Sequence, residues 1–309
     1  MAKEYVNQHI VPKRYLERFA FKKDNKYLIG TRRCVNGKIK LFTESVEKVG
    51  YIKNFYDVSD KDDPKHWERF LCDNIDYLYG SDLDRIISNA ILSQNYVKIL
   101  SDYDKEVLSK IIIAQLLRIP YSINHTYDAY PRIAERAKEE MLLVFPTALQ
   151  QKLKPIVDKV DFSRMEQKEI YLNHIFDIET FNKYCNILKS KIWVVYMNII
   201  YDSMPFVTSD NPVLVEGFLN SNNGLYNNGL INPDTCFFFP ISPKIALACY
   251  SKDGPVGIIK NEYENRKIPV DEIKFIEYKN NCIIDQAYNH AFIPKPMFDE
   301  LNYIGYKNT

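Results

Sequence analysis

The chain has 309 residues, 46% of them apolar and 26% charged, with 23 Tyr and 17 Phe. That content supports a sizeable core and excludes intrinsic disorder. Its 41 basic and 40 acidic side chains leave a formal charge of +1, so no global field draws the molecule onto nucleic acid or anionic lipid.

The charge is unevenly placed. Residues 1 to 50 hold twelve basic side chains against five acidic ones, a net +7 that leaves −6 for the remainder. Tyr5, Tyr15, Phe19, Phe21, Tyr27 and Phe42 are interleaved with these cations. Such interleaving suits either a polyanion-facing surface or a solvated face over a buried aromatic stripe.

Within this region VPKRYLERF, residues 11 to 19, opens with Pro12 where a helix accepts it and spaces Tyr15, Leu16 and Phe19 along one face, which predicts a short helix. Two strand-like runs then meet at Asn36-Gly37, the dipeptide that most favours a tight hairpin turn. YIKNFYDVS reads as a further strand or extended loop, and the cluster Asp57, Asp60, Asp62, Asp63 as a solvated turn, since it lacks the Gly and terminal Glu of a calcium loop.

From about 64 to 188 apolar residues recur at three- and four-residue spacing, predicting a helical layer. Ser81 and Ser101 are the expected caps, the latter three residues before Asp104. Pro120 is expected to end the third of these helices, with two more near 131–145 and 165–188. After Lys191 the runs IWVVYMNIIY, PFVTS, PVLVEG, TCFFFPIS and KIALACYS read as strands, with a polar insert NSNNGLYNNGLINPDT among them and a last helix over 270–288. Strands, then helices, then strands indicate an α+β fold. The expectation is a mostly antiparallel sheet, the N-terminal hairpin joined to the C-terminal strands, packed with a central helical bundle. One domain over 1–309 follows: a hairpin region at 1–60, the helical layer at 64–188, and the C-terminal sheet and helix at 191–309.

No stretch approaches the roughly 18 uninterrupted apolar residues of a membrane helix, and the start MAKEYVNQHIVPKRY has no apolar signal core, so a cytoplasmic location is expected. The six cysteines form no C-x-x-C pair, which removes the usual zinc and thioredoxin signatures and predicts reduced thiols. Phosphate-loop, dinucleotide, zincin and hydrolase-elbow motifs are also missing from the sequence.

Three segments carry chemistry. In QHIVPKRYLERF, His9 precedes a proline-started helix and suits proton transfer near neutral pH. In RIPYSINH, Arg118 and His125 are separated by six residues, a spacing that resembles the R-x4-6-H pattern of the HEPN ribonucleases and implies metal-free RNA cleavage. In FVTSDNPV, Asp210 at a strand end is a candidate general base or ligand of a divalent metal, with Asn211 beside it; a plain turn is the alternative.

QHIVPKRYLERF, NFYDV at 54–58, LLRIP at 116–120, FVTSDNPV at 206–213, FPISPK at 239–244 and NNCIIDQA at 280–287, in that order, resemble the prokaryotic family catalogued as domain of unknown function 4238. The resemblance implies that His9, Pro12, Tyr15, Phe19, Tyr56, Arg118, Asp210, Asn211 and Pro212 belong to a shared framework, and it implies no reaction. The leading expectation is a hydrolase acting on nucleic acid or a nucleotide, of toxin or phage-defence type. His9, Arg118, Asp210 and Asn211 would be catalytic, Asp210 would hold any metal, and Lys13, Arg14, Tyr15 and Tyr56 would bind substrate. The rival is a non-catalytic binding protein in which the same residues form a structural network.

Overall fold

The computed structural model describes residues 7–35, 38–58, 63–217 and 229–307. The Asn36-Gly37 turn, Asp60, Asp62 and much of the polar insert lie outside the described residues. The strands flanking that turn, β3 (Lys26–Val35) and β4 (Lys38–Ser45), pair antiparallel in register from Leu28↔Ser45 to Val35↔Lys38.

The fold is α+β, and its strands divide differently from the expectation of a joined sheet. Among the described residues β1 (Asn7–His9) pairs with β5 (Tyr51–Lys53) alone. A second sheet runs β2 (Phe21–Lys23), β3, β12 (His290–Ile293), β7 (Thr208–Ser209), with β4 on the other edge of β3. The third runs β11 (Arg266–Val270), β6 (Ile192–Asn198), β10 (Ile245–Tyr250), β9 (Thr235–Pro240), β8 (Leu214–Gly217). It is antiparallel except where β11 runs parallel to β6. Among the described strands only β7 and β12 of the C-terminal half join the sheet of the N-terminal hairpin, because the longer C-terminal strands find partners among themselves.

The third sheet is buried on both faces. Trp193, Val195, Phe237, Phe239 and Leu247 belong to the larger core shared with the helices. Val194, Phe238, Ala246 and Ala248 face a second core with Ile276 and Ile283 of α10 (Ile273–Asp285). Double burial explains why IWVV and CFFF read as continuous apolar runs rather than alternating ones.

The helical layer comprises α2 (His66–Asn74), a 3-10 turn at Asp76–Tyr79, α3 (Ser81–Leu92), α4 (Asp102–Leu117), α5 (Pro120–Leu143), α6 (Thr147–Val157), α7 (Arg164–Ile175) and α8 (Ile178–Lys189). α4 is its centre, with an unbroken buried run from Ile111 to Leu116, as a helix enclosed on every side requires. The Ser101 cap forms a full capping box: the Asp104 amide donates to Ser101 Oγ at 3.1 Å and the Ser101 amide to Asp104 Oδ2 at 2.8 Å. Ser81 instead opens α3 as its first residue, behind Gly80, and provides no side-chain cap.

Pro120 does double duty. It holds Ile119 extended at φ −82°, ψ 157°, ending α4, and occupies the first turn of α5. α5 continues through Pro131, where a helix start was expected. The helix expected over 165–188 is two, because Asp177 caps α8 by accepting from the Thr180 amide at 3.0 Å. α6, α9 (Lys260–Tyr263), β11 and α11 (Lys295–Lys307) were not anticipated.

Candidate functional site

The N-terminal segment reaches the helical layer through α1 (Lys13–Leu16). Tyr15 is fully buried, stacks on Phe239 with centroids 5.2 Å apart, donates to the Pro240 carbonyl at 2.6 Å and shares a 2.7 Å hydrogen bond with Thr208. One hydroxyl thereby ties α1 to β7 and β9. Tyr56 is equally buried, and its hydroxyl donates to the Arg118 carbonyl at 3.1 Å. Expected at a substrate surface, both tyrosines are interior struts instead, because a fully buried phenol must occupy its hydroxyl within the protein.

Arg118 follows the last residue of α4, where the turn forced by Pro120 delivers its side chain inward. The guanidinium has no solvent exposure, lies 6.0 Å from the Tyr79 ring centroid, and donates from Nη1 to Asp76 Oδ1 at 2.6 Å. Burial opposes its charge, but Asp76 and the surrounding tyrosines hold its pKa above the ordinary guanidinium range. Nε and Nη2 are buried with no partner among the described residues. Orphaned donors on a buried cation are rare and costly.

Two more titratable groups feel the charges of Arg118 and Asp76. His9 closes β1, packs edge-on against Tyr51 at 5.9 Å, and has a buried Nε2 with no partner among the described residues. Burial lowers its pKa; Asp76 pulls it up, while Arg118 and Lys13 push it down. The imidazole is therefore neutral at pH 7 and able to accept a proton. Glu68, in the first turn of α2, is pushed up to about 7, first by burial and then by the charge of Asp76, against the opposing pull of Arg118 and Lys65. A half-buried carboxyl, a neutral imidazole and a guanidinium with two unpartnered donors thus share one electrostatic neighbourhood, the arrangement expected of an acid, a base and an anion holder. A cleft of about 470 Å3 lined by Arg14, Asp76, Tyr77, Gly80, Ser81 and Asp84 opens beside Asp76. Arg14 is exposed at this cleft, whereas Lys13 is tied to Glu47 at 2.7 Å.

Asp210 and Asn211 belong to a different place. Asp210 is 1% exposed; Oδ1 accepts the Tyr288 amide at 2.7 Å, and Oδ2 accepts those of Asn289 and His290 at 2.8 and 2.9 Å. Asn211 Nδ2 donates to the Gln286 carbonyl at 3.2 Å, and Gln286 Nε2 donates to the Asn211 carbonyl at 2.7 Å. Together they suture the β7 turn to the connection between α10 and β12. None of their hydrogen bonds or ion pairs reaches His9 or Arg118. With both oxygens held by backbone amides, the donor set at Asp210 does not fit a metal ion. Among the described residues no group of three or more His, Cys, Asp and Glu side chains is placed to hold one.

The HEPN-like pair spans the junction of α4 and α5. Arg118 stands between α4 and α5 with its fork on Asp76, and His125 lies within α5 beside Tyr121, ring centroids 6.4 Å apart. The two do not share a helix.

Glu68 and Asp76 were overlooked in the sequence because WERF and NIDY look like ordinary amphipathic surface. The signal that could have found Asp76 is a carboxylate enclosed by Ile75, Tyr77 and Leu78 in an otherwise apolar run.

The fold and site define an α+β protein with a desolvated Arg, His and Glu cluster at the junction of its N-terminal strands and helical layer. The chain belongs to the family described as "Protein of unknown function (DUF4238)", whose pattern matches residues 7–295. No curated protein and no solved structure matches it. No described helix is long and apolar enough to cross a membrane.

Proposed function

We propose that the chain is a hydrolase acting on the phosphoesters of a nucleotide or nucleic acid, of toxin or phage-defence type, with its site at His9, Glu68, Asp76 and Arg118 rather than at Asp210. The observation that carries this reading is Arg118: a wholly buried guanidinium with two donors that find no partner among the described residues, near a carboxyl pushed up to about 7 and an imidazole whose Nε2 is likewise unpartnered among them. A phosphoryl oxygen is the acceptor such a fork suits. In the reaction, His9 takes a proton from the attacking water as its oxygen bonds to phosphorus. Protonated Glu68 gives a proton to the leaving oxygen as the old P–O bond breaks, and proton exchange with solvent then restores both groups. Arg118 neutralises charge on the phosphoryl oxygens, oriented by Asp76, and the cleft at Arg14 gives the substrate its approach.

The test is hydrolysis of a nucleotide and oligonucleotide panel by wild type, His9→Asn, Glu68→Gln and Arg118→Lys, each checked for its unfolding midpoint. Activity lost in all three, with an acidic group of pKa near 7 governing the wild-type rate, supports the assignment. Turnover that survives Glu68→Gln and His9→Asn together removes it.

A non-catalytic binding protein is the second reading, favoured by the structural hydrogen bonds of Tyr15, Tyr56 and Asp210. On that reading His9→Asn and Arg118→Lys lose stability and the panel yields no product in wild type.

A further inference from the structure

The uneven charge of the first fifty residues has a structural counterpart. On β3 and β4, Arg33 and Lys40 stand directly opposite one another, and His290 of β12 pairs with Arg33 on its other side. Lys38, two residues before Lys40, shares their face by strand alternation. At the other end of β3, Lys23 of β2 opposes Lys26. Opposed like charges weaken a sheet, and a merely solvated face would interleave the two signs. Within β2, β3 and β4 the one acid is Glu44, beside Lys48 at 3.6 Å. Among the described residues the side chains of Arg33, Lys38 and Lys40 have no ion-pair or hydrogen-bond partner.

The geometry makes these cations accessible. β12 accompanies β3 only from Gly30 to Arg33, so the rungs Cys34↔Ile39 and Val35↔Lys38 lack β12 beside them. Arg33, Cys34, Lys38, Ile39 and Lys40 are exposed although successive residues point to opposite faces, and Ile39 is 58% exposed. Along Arg33–Cys34 and Lys38–Lys40 the hairpin is therefore a ribbon with both faces in solvent.

We propose that this ribbon is a nucleic-acid docking arm, in which Arg33, Lys38 and Lys40 bind the phosphate backbone. A two-stranded ribbon fits the major groove of B-form DNA, and cations held without acidic partners are set to displace condensed counterions. This goes beyond the hydrolase reading, since the arm binds nucleic acid whether or not the His9 and Arg118 site cuts it.

The experiment is fluorescence anisotropy of labelled 20-base-pair DNA and RNA duplexes with the full chain across a salt series. Wild type is compared with a triple Ala variant at Arg33, Lys38 and Lys40, and with an equal-charge control carrying Ala at Arg132, Lys152 and Lys159. The arm variant is expected to bind at least tenfold more weakly than wild type. For DNA its log K against log salt slope flattens by about 0.9 for each phosphate contact removed. The control and a Lys40→Arg variant retain affinity, and all fold with the wild-type midpoint. No duplex binding by wild type at low salt overturns the proposal. So does equal weakening in arm and control variants, or capture of phosphatidylserine vesicles through the same residues in place of nucleic acid. Glu68→Gln separates the two ideas: lost hydrolysis with intact duplex binding supports both, whereas binding without hydrolysis in wild type keeps the arm and removes the hydrolase.

Discussion

Replacing Asp210 with Asn preserves shape and removes charge, so it isolates what the carboxylate does. Three backbone amides converge on its two oxygens at 2.7 to 2.9 Å, and the side chain is almost wholly buried. A carboxamide can keep its one oxygen toward Asn289 and His290, which places its NH2 group against the Tyr288 amide, donor facing donor. Hydrogen bonds to a charged acceptor contribute about 1.5 to 3 kcal/mol each, and a buried donor left without an acceptor costs about 1 to 3 kcal/mol. One bond lost and two weakened give an expected destabilisation of about 2 to 4 kcal/mol. Urea unfolding followed by fluorescence reads this as a lower midpoint at unchanged slope. A loss under about 0.5 kcal/mol would refute the structural assignment. Lost hydrolysis at wild-type stability would return Asp210 to the chemistry.

Three further outcomes follow from the structure. Because Glu68 titrates at about 7 in the folded chain against 4.5 ordinarily, the folded state retains a proton that the unfolded chain has released between those values. Its contribution to stability is fully present below about pH 4.5 and is lost as pH rises through 7. Glu68→Gln should remove that slope and be more stable than wild type at pH 8 by on the order of 1 to 2 kcal/mol, allowing for solvent screening of a half-buried group; parallel melting curves from pH 4.5 to 8 would contradict it. Tyr15→Phe removes the hydroxyl between Pro240 and Thr208 and should cost about 1 to 3 kcal/mol in chemical denaturation, a neutral result meaning that water fills its place. At Gly30 an added Cβ would meet the Phe298 ring at 2.5 Å and the Ile293 carbonyl oxygen at 2.7 Å, so Gly30→Ala should lower stability by roughly 1 to 3 kcal/mol through overpacking, a loss that Phe298→Ala in the same chain partly relieves.

What could be read from the residues was whatever a few neighbours decide. Ser101 with Asp104 announces its capping box, and the runs on either side of Asn36-Gly37 announce a paired hairpin. Pro120 marks the end of α4, and residue chemistry alone singled out His9 and Arg118. Pairing at long range was illegible: nothing near His290 says that β12 will lie between β3 and β7, and nothing near Arg266 says that β11 will run parallel to β6. The same limit governs the site. Glu68 and Asp76 gain their character from desolvation beside Arg118, a property of packing that WERF and NIDY do not carry. Asp210 misled because a buried carboxylate gathering backbone amides and a catalytic one are spelled alike.

The position of β12 also dictates when the protein can finish folding. β3 emerges early in synthesis, yet the strand that completes its edge pairs His290 with Arg33 and Ile293 with Gly30. Until Ile293 has left the ribosome, the Gly30–Arg33 margin of β3 is an unpaired row of amides and carbonyls beside a basic ribbon, open to any extended segment nearby. Such a late closure implies slow maturation, because so distant a contact must form before the sheet is complete. A chain truncated before His290 would not be a slightly smaller protein: it would retain that sticky margin permanently and should accumulate as aggregate in the cell.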